Sequence, residues 1–285
     1  MNSRPLMQAG ELSAALASTN PPVVIDCSFD LTDAEAGRRS HAAAHIPGAI
    51  HVDLDQTLSG ARTGLNGRHP LPSPEDFARA MADLGVDDSS KVVAYDNAGG
   101  MYAARLWWML RWVGHADVVV LDGGLAAWKA ASLPLSNEAP AASARGRFSV
   151  RPALVRTIDY AGVRTNLASQ QFLVIDARAA DRFRGENETL DPVGGHIPGA
   201  RNRLFRHNLA PDGRFKRADQ LRQEFESLTD GRPVTQLVSQ CGSGVTACHN
   251  LLAMEAAGLA GAALYPGSWS EWCARPDAPV ATGAD

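Results

Sequence analysis

The stretch "TQLVSQCGSGVTACHNLLAMEAAG", Thr235–Gly258, decides the fold. It runs from an apolar, strand-like segment through a short glycine-containing turn into a helix-forming segment that closes on glycine. A near copy, "KVVAYDNAGGMYAARLWWMLRWVG", occupies Lys91–Gly114. The correspondence continues on both sides. "PPVVIDCSFD" (Pro21–Asp30) matches "QFLVIDARAAD" (Gln171–Asp181). "HIPGA" occurs at His45–Ala49 and again at His196–Ala200. "LDGGLAAW" (Leu121–Trp128) matches "YPGSWSEW" (Tyr265–Trp272). Matched positions lie 144 to 151 residues apart. That period is too long for a solenoid unit and has the size of a domain, so the chain reads as a tandem duplication.

Between the copies, "LPLSNEAPAASARGRFSV" (Leu133–Val150) is rich in Pro, Ala, Ser and Gly, has no periodicity, and reads as a linker. The expected organisation is a first domain over 1–135, a linker over 136–152 and a second domain over 153–285. Within each copy, short apolar runs such as Val23–Asp26, Val92–Tyr95 and Val118–Leu121 alternate with helical patterns. "SPEDFARAMADLG" (Ser73–Gly85) has a Ser cap, Pro and acids in its first turn and a closing glycine. "KRADQLRQEFESL" (Lys216–Leu228) is its counterpart in the second half. The pattern implies an α/β fold, each domain a mainly parallel sheet flanked by helices. In such sheets ligands gather at the carboxyl ends of strands, where Cys241 falls.

Composition narrows the function classes. The chain has 285 residues, 45% apolar and 20% charged, with a net charge of −4 and no long basic block. A nucleic-acid or membrane-surface partner is not expected. The start lacks the apolar stretch of a signal peptide, no run reaches membrane-span length, and a cytoplasmic location is expected. The four cysteines, Cys27, Cys241, Cys248 and Cys273, form no Cys-x-x-Cys pair and are expected to be reduced. No metal site and no cofactor is expected.

A thiol is a nucleophile only as thiolate. The residues after Cys241 start a helix, whose N-terminus favours an anion. Gly242 and Gly244 let the backbone curl its N–H groups inward as a nest. The competing reading makes Cys241 a small buried hydrophobe, as lone cysteines usually are. A phosphatase loop of the Cys-x5-Arg type is a rival, but Ala247 stands where the arginine belongs, so a phosphoryl dianion would lose its bidentate partner. The first copy has Asp96 in place of the thiol, so only the second half is expected to do chemistry. His45 and His196 read as structural, Cys248 as core, and Trp107, Trp108 and Trp112 as packing.

"CGSGVTA" at a loop-to-helix junction, "HIPGA" in both halves and "GSWSEW" near the end resemble the two-domain rhodanese-like sulfurtransferases over nearly the whole chain. Gly-Ser after the cysteine resembles the 3-mercaptopyruvate branch rather than the thiosulfate:cyanide branch. The resemblance implies two tandem rhodanese-like domains, the first inactive. It implies that sulfane sulfur passes from a small-molecule donor to Cys241 as a persulfide, then to a thiophilic acceptor: cyanide, small thiols or thioredoxin-like proteins. Thiosulfate is the alternative donor, and a non-catalytic binding module is a third reading. Backbone N–H groups of Gly242, Ser243, Gly244, Val245, Thr246 and Ala247 would hold the outer sulfur. Ser243, His69 (in "GRHPLP") and Asp55 (in "HVDLDQ") match the family's proposed proton relay, with Asp53 a close competitor. Arg182, in "DRFRGE", matches an arginine that binds the donor, and a planar fork suits a carboxylate. A second family arginine lies shortly after it. Here that place holds "NETLDPVGG" (Asn187–Gly195), shorter and without arginine, and Arg184 does not match the motif.

Overall fold

The computed structural model describes residues 4–140 and 144–284. Residues 141–143 of the expected linker, the first three residues and Asp285 lie outside the described residues. The chain divides into two compact units, each an α/β layer built on one five-stranded sheet.

The first unit comprises Met1–Gly60, Pro72–Leu154 and Leu209–Phe215. Its elements in order are β1 (Leu6–Met7), α1 (Ala9–Leu16), β2 (Val23–Asp26), α2 (Ala36–Ala43), β3 (Ile50–His51), α3 (Pro74–Asp83), β4 (Val92–Tyr95), α4 (Ala103–Trp112), β5 (Val118–Leu121) and α5 (Gly124–Ala130). The strands pair in the order β1-β5-β4-β2-β3, every pair parallel. Central strands β4 and β5 are buried along their whole length, as their unbroken apolar runs require. Ser73 caps α3 by accepting the Asp76 N–H at 3.0 Å, with Pro74 in the first turn.

The second unit comprises Ala61–Leu71, Val155–Asn208 and Lys216–Asp285. Its elements are β6 (Arg156–Thr157), α6 (Tyr160–Ser169), β7 (Leu173–Asp176), α7 (Ala180–Arg184), β8 (Arg201–Asn202), α8 (Ala218–Leu228), β9 (Leu237–Gln240), α9 (Thr246–Ala256), β10 (Ala263–Leu264) and α10 (Ser268–Trp272). The order β6-β10-β9-β7-β8, again all parallel, repeats the first sheet strand for strand.

The duplication reaches individual hydrogen bonds. His45 Nδ1 meets the His41 carbonyl at 2.6 Å, and His196 Nδ1 meets the Phe183 carbonyl at 2.9 Å. Both histidines also form isolated bridges, to Ser136 and to Ala281. Trp128 donates its indole N–H to the Pro134 carbonyl at 2.7 Å, and Trp272 to that of Pro279 at 2.9 Å. The repeated histidines are therefore backbone-bonded parts of the scaffold. Trp107 and Trp108 are buried in the first unit's interior.

Two features of the fold have no signal in the repeat. Most of the described part of the linker is tied down along the first unit. Gly146 donates to Ala82 at 2.8 Å and Arg151 to Val113 at 2.9 Å, and Leu154, just beyond the linker, donates to Arg111 at 2.9 Å. Each unit also takes in a short segment that follows the third strand of the other half: Ala61–Leu71 in the second unit and Leu209–Phe215 in the first.

Candidate active site

Cys241 follows β9 directly, at the carboxyl end of the second unit's sheet. Its side chain is buried, with the residue 2% exposed. Its backbone is fixed at both ends by the α10 turn: its N–H donates to Ser268 Oγ at 3.1 Å, and its carbonyl accepts the Trp269 N–H at 2.9 Å. Gly242 is held in the same way, its carbonyl accepting the Ser270 N–H at 2.9 Å. The loop then turns through Gly244 at φ +77°, where a Cβ would lie 2.3 Å from the Pro266 carbonyl oxygen. Only glycine fits there, on conformational and steric grounds. Val245 flanks the start of α9 without a side-chain cap, and Thr246 and Ala247 begin its first turn, where N–H groups have no intrahelical carbonyl to meet.

Ser243 is buried, and its Oγ lies 2.7 Å from Nδ1 of His69, itself 2% exposed. His69 comes from the segment Ala61–Leu71 that the second unit takes in. Gly67 in that segment, at φ +84°, sits so close to Gly267 that a Cβ would lie 2.6 Å from its carbonyl oxygen. The Arg68 N–H donates to Ser270 Oγ at 2.9 Å, and Arg275 donates to the Leu65 carbonyl at 3.0 Å. The sequence pairing of Ser243 with His69 thus has a direct structural contact.

Asp55 belongs to the first unit, exposed on the turn after β3. Its N–H donates to the Asp53 carboxylate at 2.8 Å, and that of Gln56 does so at 3.0 Å. Asp53, the competing carboxylate, is thereby engaged in building the turn.

Arg182, on α7, donates from Nε and Nη2 to the Glu188 carboxylate at 2.8 to 3.1 Å and from Nη2 to Asp191 at 3.2 Å. A Cβ on Gly242 would lie 3.6 Å from Arg182 Nη2 and 3.8 Å from Nη1. The guanidinium therefore borders the loop beside the thiol. The absent side chain of Gly242 makes room for it. Burial works to raise the Glu188 carboxyl, but the Arg182 guanidinium and the N–H groups of Leu190 and Asp191 overcome it. They hold the carboxyl below the usual carboxylate range. Arg184 faces away from this cluster in its bonding, paired with Glu186 at the surface.

Several residues here were not legible from sequence. Arg178 is buried and bidentate to Asp176, lies over the Trp269 ring at 4.5 Å, and reaches Glu188 at 3.5 Å. Burial opposes its charge, and Asp176, Glu188 and Asp191 together outweigh that and raise it. Arg68 donates from Nη1 to Asp191 at 2.6 Å. Glu188 and Asp191 sit in the very segment that lacks the family arginine. The side chains of both acids are buried, 4% and 3% exposed, which is what draws the cations to them and is not visible in the sequence.

The other thiols differ from Cys241 in setting. Burial, with Asp96 and Asp26 nearby, pushes the Cys27 thiol well up. Cys248 donates to the Gly244 carbonyl at 3.3 Å from inside α9. Cys273 is pushed up to about 11, first by burial and then by Asp191. Among the described residues no cluster of His, Cys, Asp and Glu could hold a metal ion, and no helix is long and apolar enough to cross a membrane.

In the first unit, the equivalent loop is occupied by a carboxylate. Asp96 accepts the N–H groups of Ala98, Gly100, Tyr102 and Ala103 at 2.8 to 2.9 Å. In the first copy the strand-to-helix loop gathers backbone N–H groups around a carboxyl group, which burial pushes up against the pull of those hydrogen bonds. In the second a thiol stands at the root of the loop.

Comparison with known proteins agrees with this geometry. The Rhodanese-like domain family matches residues 8–131 and 160–275. The "Probable 3-mercaptopyruvate sulfurtransferase" of Pseudomonas aeruginosa is 48% identical over 99% of this chain and 100% of its own length. The human 3-mercaptopyruvate sulfurtransferase is 39% identical over 98% of this chain and 96% of its own. The crystal structure of SseA from Escherichia coli, described as a 3-mercaptopyruvate sulfotransferase, superposes with a TM-score of 0.81 at 31% identity, covering 94% of this chain and 99% of that one. With both copies matched and the fold repeated strand for strand, the chain belongs to the rhodanese-like sulfurtransferases.

Proposed function

We propose that the chain transfers sulfane sulfur from 3-mercaptopyruvate to a thiophilic acceptor through a persulfide on Cys241. The observation that carries this reading is the 2.7 Å contact between Ser243 and His69, two residues along the loop from the thiol. A donor that leaves as an enolate needs a proton delivered, and a hydroxyl bonded to an imidazole can relay one.

The Cys241 thiolate attacks the donor's sulfur. The new S–S bond forms as the C–S bond breaks, and its electron pair passes to carbon as the pyruvate enolate. The enolate takes up the proton that the transferred sulfur sheds, relayed through Ser243 and His69, with Asp55 as the third relay group. This leaves pyruvate and Cys241 as a persulfide anion. Backbone N–H groups of Gly242 to Ala247 hold the outer sulfur. An acceptor nucleophile such as cyanide or a thiol then takes that sulfur and returns the thiolate. Thioredoxin-like proteins are acceptors of the same chemistry. Arg182 binds the donor carboxylate.

The supporting test is intact mass after exposure to donor. The wild-type chain gains one sulfur atom from 3-mercaptopyruvate, and Cys241→Ser gains none while keeping its fold. A wild type that gains no sulfur from any donor is a binding module, and the reading is then wrong. Thiosulfate is the second reading, since the two guanidinium groups that border Gly242 suit any anionic donor. Steady-state comparison at matched cyanide decides it. The expected preference for 3-mercaptopyruvate in kcat/KM is at least about tenfold, equivalent to about 1.4 kcal/mol.

A further inference from the structure

The family's second donor-binding arginine has no counterpart in the segment Asn187–Gly195. Arg184 does not replace it, being paired with Glu186 at the surface. Another guanidinium occupies the vicinity. A Cβ on Gly242 would lie 3.1 Å from Arg68 Nη2, closer than either nitrogen of Arg182. Resting on the function proposed above, we infer that Arg68 supplies the second cation of the donor site. With Arg182 it forms a clamp for the carboxylate of a small 2-oxo acid thiol.

The bonding of the two arginines supports this. Arg68 uses Nη1 on Asp191 and the Leu190 carbonyl, at 2.6 and 3.3 Å. Arg182 uses Nε and Nη2 on Glu188 and Asp191. Nη2 of Arg68 and Nη1 of Arg182 meet no acceptor among the described residues, and both neighbour Gly242. Asp191, its side chain 3% exposed, joins the two guanidiniums, whose side chains are 22% and 18% exposed. The backbone of Arg68 is fixed to the same α10 turn that holds Cys241 and Gly242, through Ser270. Arg68 is therefore placed relative to the thiol by a short chain of hydrogen bonds.

Charge balance gives the site its selectivity. Asp176, Arg178, Glu188, Arg182, Asp191 and Arg68 form an alternating chain of three acids and three guanidiniums. A monocarboxylate adds one negative charge to this balanced set. Thiosulfate adds two, against the nearby carboxylates of Glu188 and Asp191. Asp191 acts as the positioning residue that aims both forks.

The test is steady-state kinetics on the full chain with 3-mercaptopyruvate and cyanide. Arg68→Gln is expected to raise KM about tenfold or more with kcat within about threefold, the pattern of lost donor binding. Arg184→Gln is expected to match the wild type. The double variant Arg68→Gln/Asp191→Asn removes the ion pair together and is expected to keep the raised KM. If Arg68 merely neutralised Asp191, the double variant would restore KM, and that result overturns the inference. So does an unchanged KM in Arg68→Gln. Should Arg68→Gln not fold, Arg68→Lys keeps the charge and loses the fork, and an unchanged KM there overturns the inference as well. A wild type that takes sulfur from thiosulfate and none from 3-mercaptopyruvate overturns the underlying reading, and this inference with it. A wild type that uses 3-mercaptopyruvate while Arg68→Gln is unaffected overturns this inference alone.

Discussion

Ser243 and Cys273 make opposite points about what a side chain's surroundings do. Ser243 is buried with its hydroxyl on His69, so its removal deletes a proton path without opening the loop. Positioned acid–base groups contribute about 10²- to 10⁴-fold. Ser243→Ala is expected to lower kcat with 3-mercaptopyruvate by about a hundredfold at least, whereas thiosulfate turnover, whose leaving group needs no proton, changes by about threefold or less. Equal losses with both donors would remove the relay from the mechanism. Cys273 is more exposed than the other three cysteines, yet its thiol is pushed up to about 11, so its thiolate is scarce at neutral pH. Iodoacetamide at neutral pH is expected to label Cys241 ahead of Cys273 and Cys27, with the order read by peptide mass mapping. Cys273 labelling first would contradict the nucleophilic loop. The placement of Ser243 against His69 and of Arg182 beside the Cys241 loop followed from motif and residue type. Arg68 was hidden beside a recognised residue, His69, since a charged residue in an aperiodic loop carries no signal of where it folds.

At the scale of the element, the two copies of the strand–loop–helix unit show how one architecture serves two ends. Seven residues, Asp96–Tyr102, join β4 to α4, and five, Cys241–Val245, join β9 to α9. The longer loop wraps four N–H groups around the two oxygens of Asp96. A single sulfur at position 96 cannot meet all four donors, so Asp96→Cys in a Cys241→Ser background is expected to give no measurable sulfur transfer. Asp96→Ala leaves buried donors unpaired, each a loss of about 1–3 kcal/mol. With three of the four donors buried, the expected destabilisation is at least about 3 kcal/mol, read by chemical denaturation, and a change near zero would show that the carboxylate does not hold the loop together. The elements themselves were readable: α3 announces itself by spacing and its Ser73 cap, α8 by spacing alone, and β4 by an unbroken apolar run, whereas β9, Leu237–Gln240, turns polar in its last two residues. The linker was not. Its hydrogen bonds are made by backbone groups of residues with no periodicity, as in Gly146 N–H to Ala82, and such bonds leave no pattern in side-chain type.

The whole molecule is a duplicated chain whose second compact unit is not a contiguous stretch of sequence. The repeat was visible from matched motifs, but the assignment of Ala61–Leu71 to the second unit was not, because it depends on close backbone approach rather than on hydrophobic pattern. Gly67 and Gly64 separate the two effects. Both have positive φ, +84° and +85°, so alanine at either position meets a similar conformational cost of about 1–2 kcal/mol. Around Gly64 nothing lies within 4 Å of an added Cβ, whereas at Gly67 the Gly267 carbonyl oxygen lies at 2.6 Å. Alanine at 67 must therefore push the segment off the α10 turn, carrying Arg68 and His69 away from Gly242 and Ser243. Gly67→Ala is expected to lower kcat/KM for 3-mercaptopyruvate at least about tenfold, while Gly64→Ala stays within about threefold, with thermal melting confirming that both variants fold. If the two variants behave alike, backbone strain alone accounts for the loss, and the docking of this first-half segment on the second unit is not what the active loop requires.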